Sequence, residues 1–314
     1  MRCGRCFPRW TGEEKSVNIL ITGAWQYAEE ALPTIRAMGH EIAFLKREDD
    51  ALPCPATWVE GVIGNHLFSH HPIESFPKLR YVQITSAGFD HVPTAYMRAR
   101  GIAFRTAKDV YSIPMAEYAV GGVLWLYKRM RAFDAKQRSA IWEKDRSLIE
   151  LCGKTVLILG CGSVGTACAE RFRAFGCSVI GLATKAREHK AFDAIRPIGE
   201  LDGMLPNADV AVLALPLTEE TRGIMDARRL DLMNRHAILV NISRGGIVDQ
   251  NALEERIDNI GGAVLDVFEP EPLPESSPLW TQENVIVTPH NSFAGDGNRE
   301  RLNGVILRNL KEIG

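Results

Sequence analysis

Short apolar, β-branched runs recur along this chain with helix-like segments between them, and that alternation restricts the fold more than any other feature. The runs lie at residues 17–22, 41–45, 58–63, 81–85, 102–105, 155–159, 177–182, 208–213, 237–241, 261–267 and 284–288. A strand covered on both faces needs apolar side chains at every position, so continuous runs alternating with helices predict parallel sheets, not a sandwich. Eleven such strands fit two doubly wound units better than one sheet. The chain's 314 residues are about twice a typical domain, which points the same way.

The stretch 112–147 reads as one or two long helices starting near Pro114, amphipathic through Tyr118, Leu124, Tyr127 and Met130. It divides the strands into two sets. The spacing places the second unit at residues 107–289 and the first at 1–106. A last helix over 299–312 has no strand after it, so 290–314 is expected to return to the first unit and make it discontinuous.

The formal net charge is -2, which gives no electrostatic basis for binding nucleic acid or an anionic membrane. No stretch approaches the ~20 apolar residues of a membrane helix; the longest, 118–127, is too short and abuts Glu117 and Lys128. The first residues carry Arg, Glu and Lys without an apolar run, so no secretory signal is read there and a cytoplasmic location is expected. Cys161, Cys168 and Cys177 lie in or near apolar segments and read as small buried hydrophobes. Cys3 and Cys6 form a CxxC without the second ligand pair that zinc requires. His66, His70 and His71 sit beside Pro72 with no acidic partner at metal spacing and read as a surface loop. No metal site is expected.

The run 155–159 leads directly into Gly160-Cys-Gly162-Ser163-Val164-Gly165, and a helical stretch follows over 166–175. This is a GxGxxG between a strand and a helix, the context that dinucleotide binding requires. Gly160 allows the tight turn, Gly162 lets a pyrophosphate approach the backbone, and Gly165 lets helix and strand pack closely. The free N–H groups at the helix start then face the anion. An NAD site usually carries an acid after the next strand, for the ribose hydroxyls. Here no acid occurs from Arg171 until after Arg187, and the loop reads Thr184-Lys185-Ala-Arg187. Without a carboxylate to repel a 2′-phosphate, and with two cations near it, NADP is expected over NAD.

Three further segments put reactive side chains just past strand ends: Arg244 in NISRGGIVD (241–249), acids in LDVFEPEP (265–272), and His290 in TPH (288–290). In a parallel sheet such ends share one crevice, where ligands bind. An Arg, a carboxylate and a His meeting there suit reduction of an α-keto acid.

Taken together, GCGSVG, LPLTEETRG (215–223), NISRGGIVD, LDVFEPEP and TPH, with weaker matches at ITSAGFDHV (84–92) and AEY (116–118), resemble the D-isomer-specific 2-hydroxyacid dehydrogenase family. The family includes phosphoglycerate dehydrogenases and glyoxylate/hydroxypyruvate reductases. The resemblance implies a Rossmann dinucleotide-binding domain inserted into a discontinuous flavodoxin-like substrate domain. It implies hydride transfer between a nicotinamide cofactor and a small 2-oxo or D-2-hydroxy acid such as glyoxylate, hydroxypyruvate or phosphoglycerate. Arg244 then matches the substrate arginine, His290 the acid/base, and Glu271 the carboxylate that pairs with the imidazole; Glu269, two residues away, is the one to be confused with it. Asp266 matches a residue holding the nicotinamide carboxamide. Ile242, Ser243, Leu215, Pro216 and Thr221 belong to motifs on the nicotinamide ribose side. Ser86, Ala87 and Gly88 match the loop whose amides receive the substrate carboxylate, and Asn65 and the Trp142 region are expected to shape the pocket.

By the same resemblance the protein is a homodimer formed through the helices in 112–147. The family pattern is departed from in the missing acid after the second strand and in Asn291-Ser292-Phe293-Ala294-Gly295, where many members carry a glycine-rich pair sooner. The chain's length leaves no room for the regulatory domain that some phosphoglycerate dehydrogenases append. An alternative on the same fold is a cofactor-sensing, corepressor-like interaction protein, which would keep the same triad; no partner-recruiting tail or basic patch favours it.

Overall fold

A computed structural model describes residues 16–312; the Cys3/Cys6 pair lies outside them. The described residues form two compact units, 16–111 with 295–312, and 112–294. Residues 107–111 thus group with the first unit and 290–294 with the second.

The first unit runs β1 (Asn18–Thr22), α1 (Ala28–Ala37), β2 (Glu41–Leu45), β3 (Gly61–Gly64), α2 (Leu67–His70), β4 (Tyr81–Ile84), α3 (Thr94–Ala99) and β5 (Ala103–Arg105). Its five parallel strands are ordered β2-β1-β3-β4-β5, the flavodoxin-like order, with its reversal between β1 and β3. Alternate side chains feed two cores: Ile19, Ile21, Ile63 and Tyr81 face one, and Leu20, Val62, Val82 and Ile84 the other.

The second unit opens with α4 (Ser112–Tyr127) and α5 (Met130–Arg138). It continues through β6 (Thr155–Leu159), α6 (Ser163–Ala174), β7 (Ser178–Ala183), β8 (Ala194–Pro197), α7 (Leu201–Met204) and β9 (Val210–Leu213). After these come α8 (Ala227–Leu232), β10 (Ile238–Asn241), α9 (Gln250–Arg256), β11 (Gly262–Leu265) and β12 (Val285–Val287); α10 (Asn298–Lys311) belongs again to the first unit. The seven strands are all parallel, in the order β12-β11-β10-β9-β6-β7-β8. Read from β8, this is the Rossmann order with one strand added, and it reverses between β6 and β9. Strands β9, β10 and β11 are buried at every position, which is why their sequences carry no polar alternation. Each large aliphatic side chain fully buried there contributes roughly 1.5–3 kcal/mol.

Two expectations need correction. The strands number twelve among the described residues, not eleven: β8 is an edge strand in which only Ile195 is buried, so its Ala-Ile-Arg-Pro sequence has no apolar run to detect. The helical stretch from 112 ends at Arg138, and residues 141–150 have no regular structure. Smaller shifts occur elsewhere. Residues 56–58 form a 3₁₀ turn ahead of β3, and Leu67–His70 is a helical turn within the expected histidine loop. Among the described residues no helix is long and apolar enough to cross a membrane.

Candidate active site

The Gly-rich turn joins β6 to α6 at the sheet reversal. Gly160 has φ 101° and lies so near the end of β9 that a Cβ would stand 2.5 Å from the Ala214 carbonyl oxygen. At Gly165 a Cβ would stand 1.9 Å from the Gly160 carbonyl oxygen, so side chains at these positions would push helix and strand apart. A Cβ on Gly162 would meet only open space. Ser163 and Val164 open the first turn of the twelve-residue α6, whose N–H groups have no intrahelical acceptor. The cradle therefore fits a phosphate-bearing cofactor: closed where the fold needs closeness, open where an anion must approach.

Beyond β7, Thr184, Lys185 and Arg187 are exposed. The Arg187 guanidinium reaches back across the Gly-rich turn, donating from Nη2 to the Cys161 carbonyl oxygen at 2.6 Å. Cys161 itself is buried, its thiol pushed up to about 11 by desolvation; Cys168 and Cys177 are buried too. At the end of β9, Leu215 and Pro216 begin a turn that Thr221 braces. Its hydroxyl accepts from Thr218 N at 2.8 Å and donates to Pro216 O at 2.7 Å. Ile242 is fully within the core, so any contact it makes with a ligand is through its backbone.

The three reactive segments follow β10, β11 and β12, which are consecutive neighbours in the sheet with strands about 4.8 Å apart. After β10, Asn241 organises the turn. Its Oδ1 accepts from Ser243 Oγ at 2.9 Å and from Ser243 N at 3.2 Å, and its Nδ2 donates to the Arg244 carbonyl at 3.0 Å. The half-buried Arg244 donates from Nη1 to the Ser243 carbonyl at 2.7 Å, and its planar guanidinium is a five-donor fork of the kind that matches an oxyanion.

After β11 come three acids with three different surroundings. Glu269 pairs with Arg222 at 2.6 Å, whereas the acid that meets His290 is Glu271. Glu271 Oε2 lies 2.9 Å from His290 Nδ1, and its Oε1 accepts from Phe268 N at 3.0 Å. A carboxylate only accepts, so Nδ1 carries the proton and Nε2 is the nitrogen left for chemistry. Asp266 is completely buried. Its Oδ1 accepts from Thr288 Oγ1 at 2.6 Å and Asn291 N at 2.7 Å, and its Oδ2 from Ser292 N at 2.8 Å.

His290 itself sits at φ 51°, a left-handed conformation that costs a non-glycine residue roughly 1–2 kcal/mol. The backbone holds it there: His290 N donates to the carbonyls of Asp266 at 2.8 Å and Thr288 at 3.1 Å. Phe293 meets the imidazole edge to face, centroids 6.3 Å apart. Sequence reasoning missed Thr288, Asn291 and Ser292 as partners of Asp266. The one available signal was an acid directly after a wholly apolar strand, which must find donors if it is buried.

In the first unit, Asn65 follows β3, its N–H donating to Glu48 Oε1 at 2.6 Å and its carbonyl 3.0 Å from His91 Nε2. After β4, Ser86 Oγ donates to the Gly88 carbonyl at 2.7 Å. The amides of Ser86, Ala87 and Gly88 donate to no acceptor among the described residues.

Residues 120–292 match the family model described as D-isomer specific 2-hydroxyacid dehydrogenase, NAD binding domain. A glyoxylate/hydroxypyruvate reductase of Arabidopsis thaliana is 32% identical over 79% of this chain and 76% of its own length. A glyoxylate reductase of Pyrococcus horikoshii is 34% identical, covering 76% of this chain and 74% of its own. Among solved structures, a D-isomer specific 2-hydroxyacid dehydrogenase family protein from Aeromonas salmonicida superposes with TM-score 0.81 at 30% identity, covering 94% of both chains. An NADPH-dependent glyoxylate/hydroxypyruvate reductase from Sinorhizobium meliloti gives TM-score 0.77 at 27% identity, covering 94% of this chain and 93% of its own.

Proposed function

Because this chain belongs to the D-isomer specific 2-hydroxyacid dehydrogenase family, we propose that it interconverts a small 2-oxo acid of the glyoxylate or hydroxypyruvate class with its D-2-hydroxy acid, preferring NADP(H). The observation that carries this reading is the Glu271–His290 pair at 2.9 Å, set past the ends of the next two strands in the sheet after the one that Arg244 follows.

A bound nicotinamide supplies or accepts the hydride at the α-carbon; the side chains do the rest. Arg244 takes the substrate carboxylate, and its planar fork polarises the neighbouring carbonyl better than a lysine point charge would. In the first unit, the amides of Ser86, Ala87 and Gly88, which donate to no acceptor among the described residues, suit a carboxylate. Protonated at both nitrogens, His290 donates from Nε2 to the carbonyl oxygen as that oxygen gains charge, and in oxidation Nε2 takes the proton back from the hydroxyl. Glu271 holds the ring by Nδ1–H and stabilises the imidazolium. Ser163, Val164 and the backbone at Gly162 would hold the pyrophosphate of such a cofactor. Lys185 and Arg187 supply the positive charge that suits a 2′-phosphate, the basis for NADP(H), and the Sinorhizobium relative is NADPH-dependent at 27% identity.

The reading extends to a homodimer through α4, α5 and the segment after them, where Trp125, Ile141 and the 99% exposed Trp142 present apolar surface suited to a second copy. Sedimentation of the full chain checks this.

The decisive assay is a panel of 2-oxo acids with NADPH and NADH, followed at the reduced-nicotinamide absorbance. Turnover of glyoxylate or hydroxypyruvate is expected, faster with NADPH. Lys185→Asp should move the NADPH/NADH efficiency ratio toward NADH by about tenfold, the size of one lost charge-assisted contact. No turnover of any 2-oxo or D-2-hydroxy acid with either cofactor would sink the reading.

A further inference from the structure

The AEY segment at the start of α4 has no part in the chemistry above, yet its tyrosine reaches the strand ends. Gly122, one turn further along, lies so close over β11 that a Cβ would stand 2.6 Å from the Val264 side chain. That approach lowers Tyr118 onto the end of β12, where its hydroxyl lies 2.5 Å from Thr288 Oγ1.

The direction of the bonds follows from counting protons. Thr288 has one hydroxyl proton, and it goes to the Asp266 carboxylate at 2.6 Å, which can only accept. Tyr118 must then be the donor to Thr288. Burial pushes the phenol up to about 12, so it keeps its proton throughout the physiological range. The chain runs one way, from phenol to hydroxyl to carboxylate, and bonds aligned head to tail polarise and strengthen one another.

The receiving end of this chain is the loop that carries the acid/base. The Asp266 carboxylate accepts the amides of Asn291 and Ser292, and its own carbonyl accepts the amide of His290. One buried residue thus holds three successive amides around a left-handed histidine. We propose that Tyr118 and Thr288 are positioning residues for His290: through Asp266 they fix the loop so that the imidazole keeps Nδ1 on Glu271 and offers Nε2 to the substrate. This rests on the reductase reading of the site for its catalytic consequence, but not for its geometry.

Thr288→Val keeps the side-chain shape and removes the relay. In the full-length enzyme, kcat should fall about tenfold or more while KM for the 2-oxo acid and the NADPH dissociation constant stay within about twofold, the pattern of a lost transition-state contact. Thr288→Ser should restore most of kcat. Tyr118→Phe, which removes only the outer donor, should cost about threefold. A second readout needs no turnover. Long-range ¹H–¹⁵N spectra at alkaline pH should show the neutral His290 ring as the Nδ1–H form in the wild type and as a mixture of tautomers in Thr288→Val. Wild-type kcat with an unchanged ring signal in Thr288→Val overturns the proposal. So does a loss confined to cofactor affinity, which would leave Asp266 as a cofactor contact alone. A wild type that reduces no 2-oxo acid overturns the reductase reading instead, and the ring signal then decides the positioning role by itself. Should Thr288→Val not fold, Tyr118→Phe carries the same comparison.

Discussion

Both units are doubly wound, and each has one place where the strand order reverses, yet the two reversals are used in opposite ways. In the seven-stranded sheet the reversal lies between β6 and β9, and the Gly-rich turn there leaves Gly162 facing open space at the start of α6. In the five-stranded sheet it lies between β1 and β3, and the protein fills it with its own anion. Glu48 accepts the Thr22 hydroxyl at 2.8 Å and the amides of Asn65 and His66 at 2.6 and 2.7 Å. The same topology gathers N–H donors at both points. What differs is whether a side-chain carboxylate already satisfies them. The first reversal is thereby a structural joint, and the second keeps its donors open for the anion that the proposed function assigns to it.

The sharpest way to break this contrast is to make the second reversal resemble the first. Gly162 is the N-cap of α6 with extended backbone, a position that accepts aspartate well and is often stabilised by it. Gly162→Asp should therefore leave the fold as stable as before or firmer by about 1 kcal/mol. Its carboxylate would stand where a pyrophosphate must bind, and cofactor affinity should fall by about 100-fold or more, a loss of roughly 3 kcal/mol. Calorimetric titration with NADPH and a melting curve on the same sample separate the two effects. Unchanged affinity would show that the turn is not the phosphate site.

How far this difference could be read beforehand depends on which link carries it. The Gly-rich turn was legible because its glycines, the preceding strand and the following helix are contiguous in sequence. The strands themselves were legible because β9, β10 and β11 are buried throughout, leaving unbroken apolar runs; β8, with one buried side chain, left none. Arg244, Glu271 and His290 could be placed at strand ends because a parallel sheet sends every carboxyl end to the same side. The filled reversal was not legible. Glu48 lies 26 residues from Thr22 and 18 from His66, and nothing in the local sequence distinguishes it from Asp49 or Asp50. The Tyr118–Thr288 contact, 170 residues apart, was hidden for the same reason. Motif spacing encodes what adjacent residues do, whereas side-chain hydrogen bonds across strands follow only from the packed backbone.

Emptying the first reversal is the complementary test. Glu48→Ala removes an acceptor from two amides and a hydroxyl, partly exposed to water, which should cost about 1–2 kcal/mol. The loss should appear as a lower denaturation midpoint of the first unit, with the NADPH dissociation constant unchanged if the cofactor sits, as proposed, at the Gly-rich turn of the other unit. A changed cofactor affinity would contradict the division of labour between the two reversals.

The smallest effect concerns what pH does to the first unit. His40, between α1 and β2, is buried, and neither ring nitrogen has a hydrogen-bond partner among the described residues. Burial holds its pKa below the ordinary value of 6.5, because the charged form would lose its hydration without compensation. Above 6.5 the ring is neutral in both folded and unfolded chains and costs nothing extra. As pH falls through 6.5 the unfolded chain binds the proton first, so stability declines, and it goes on declining until the lowered folded value is passed. The second unit has no histidine that is both buried and unpartnered among the described residues, so this term should act on the first unit alone. His40→Leu should flatten the decline of stability that sets in below pH 6.5 while leaving the neutral-pH midpoint equal or slightly higher. Denaturant melts at several pH values, read by hydrogen exchange of β1 and β2 amides against those of β6 and β9, would assign the change. An equal flattening in both sets of amides would mean that the two units unfold as one, and that their contrast lies in the ligand sites and not in their stabilities.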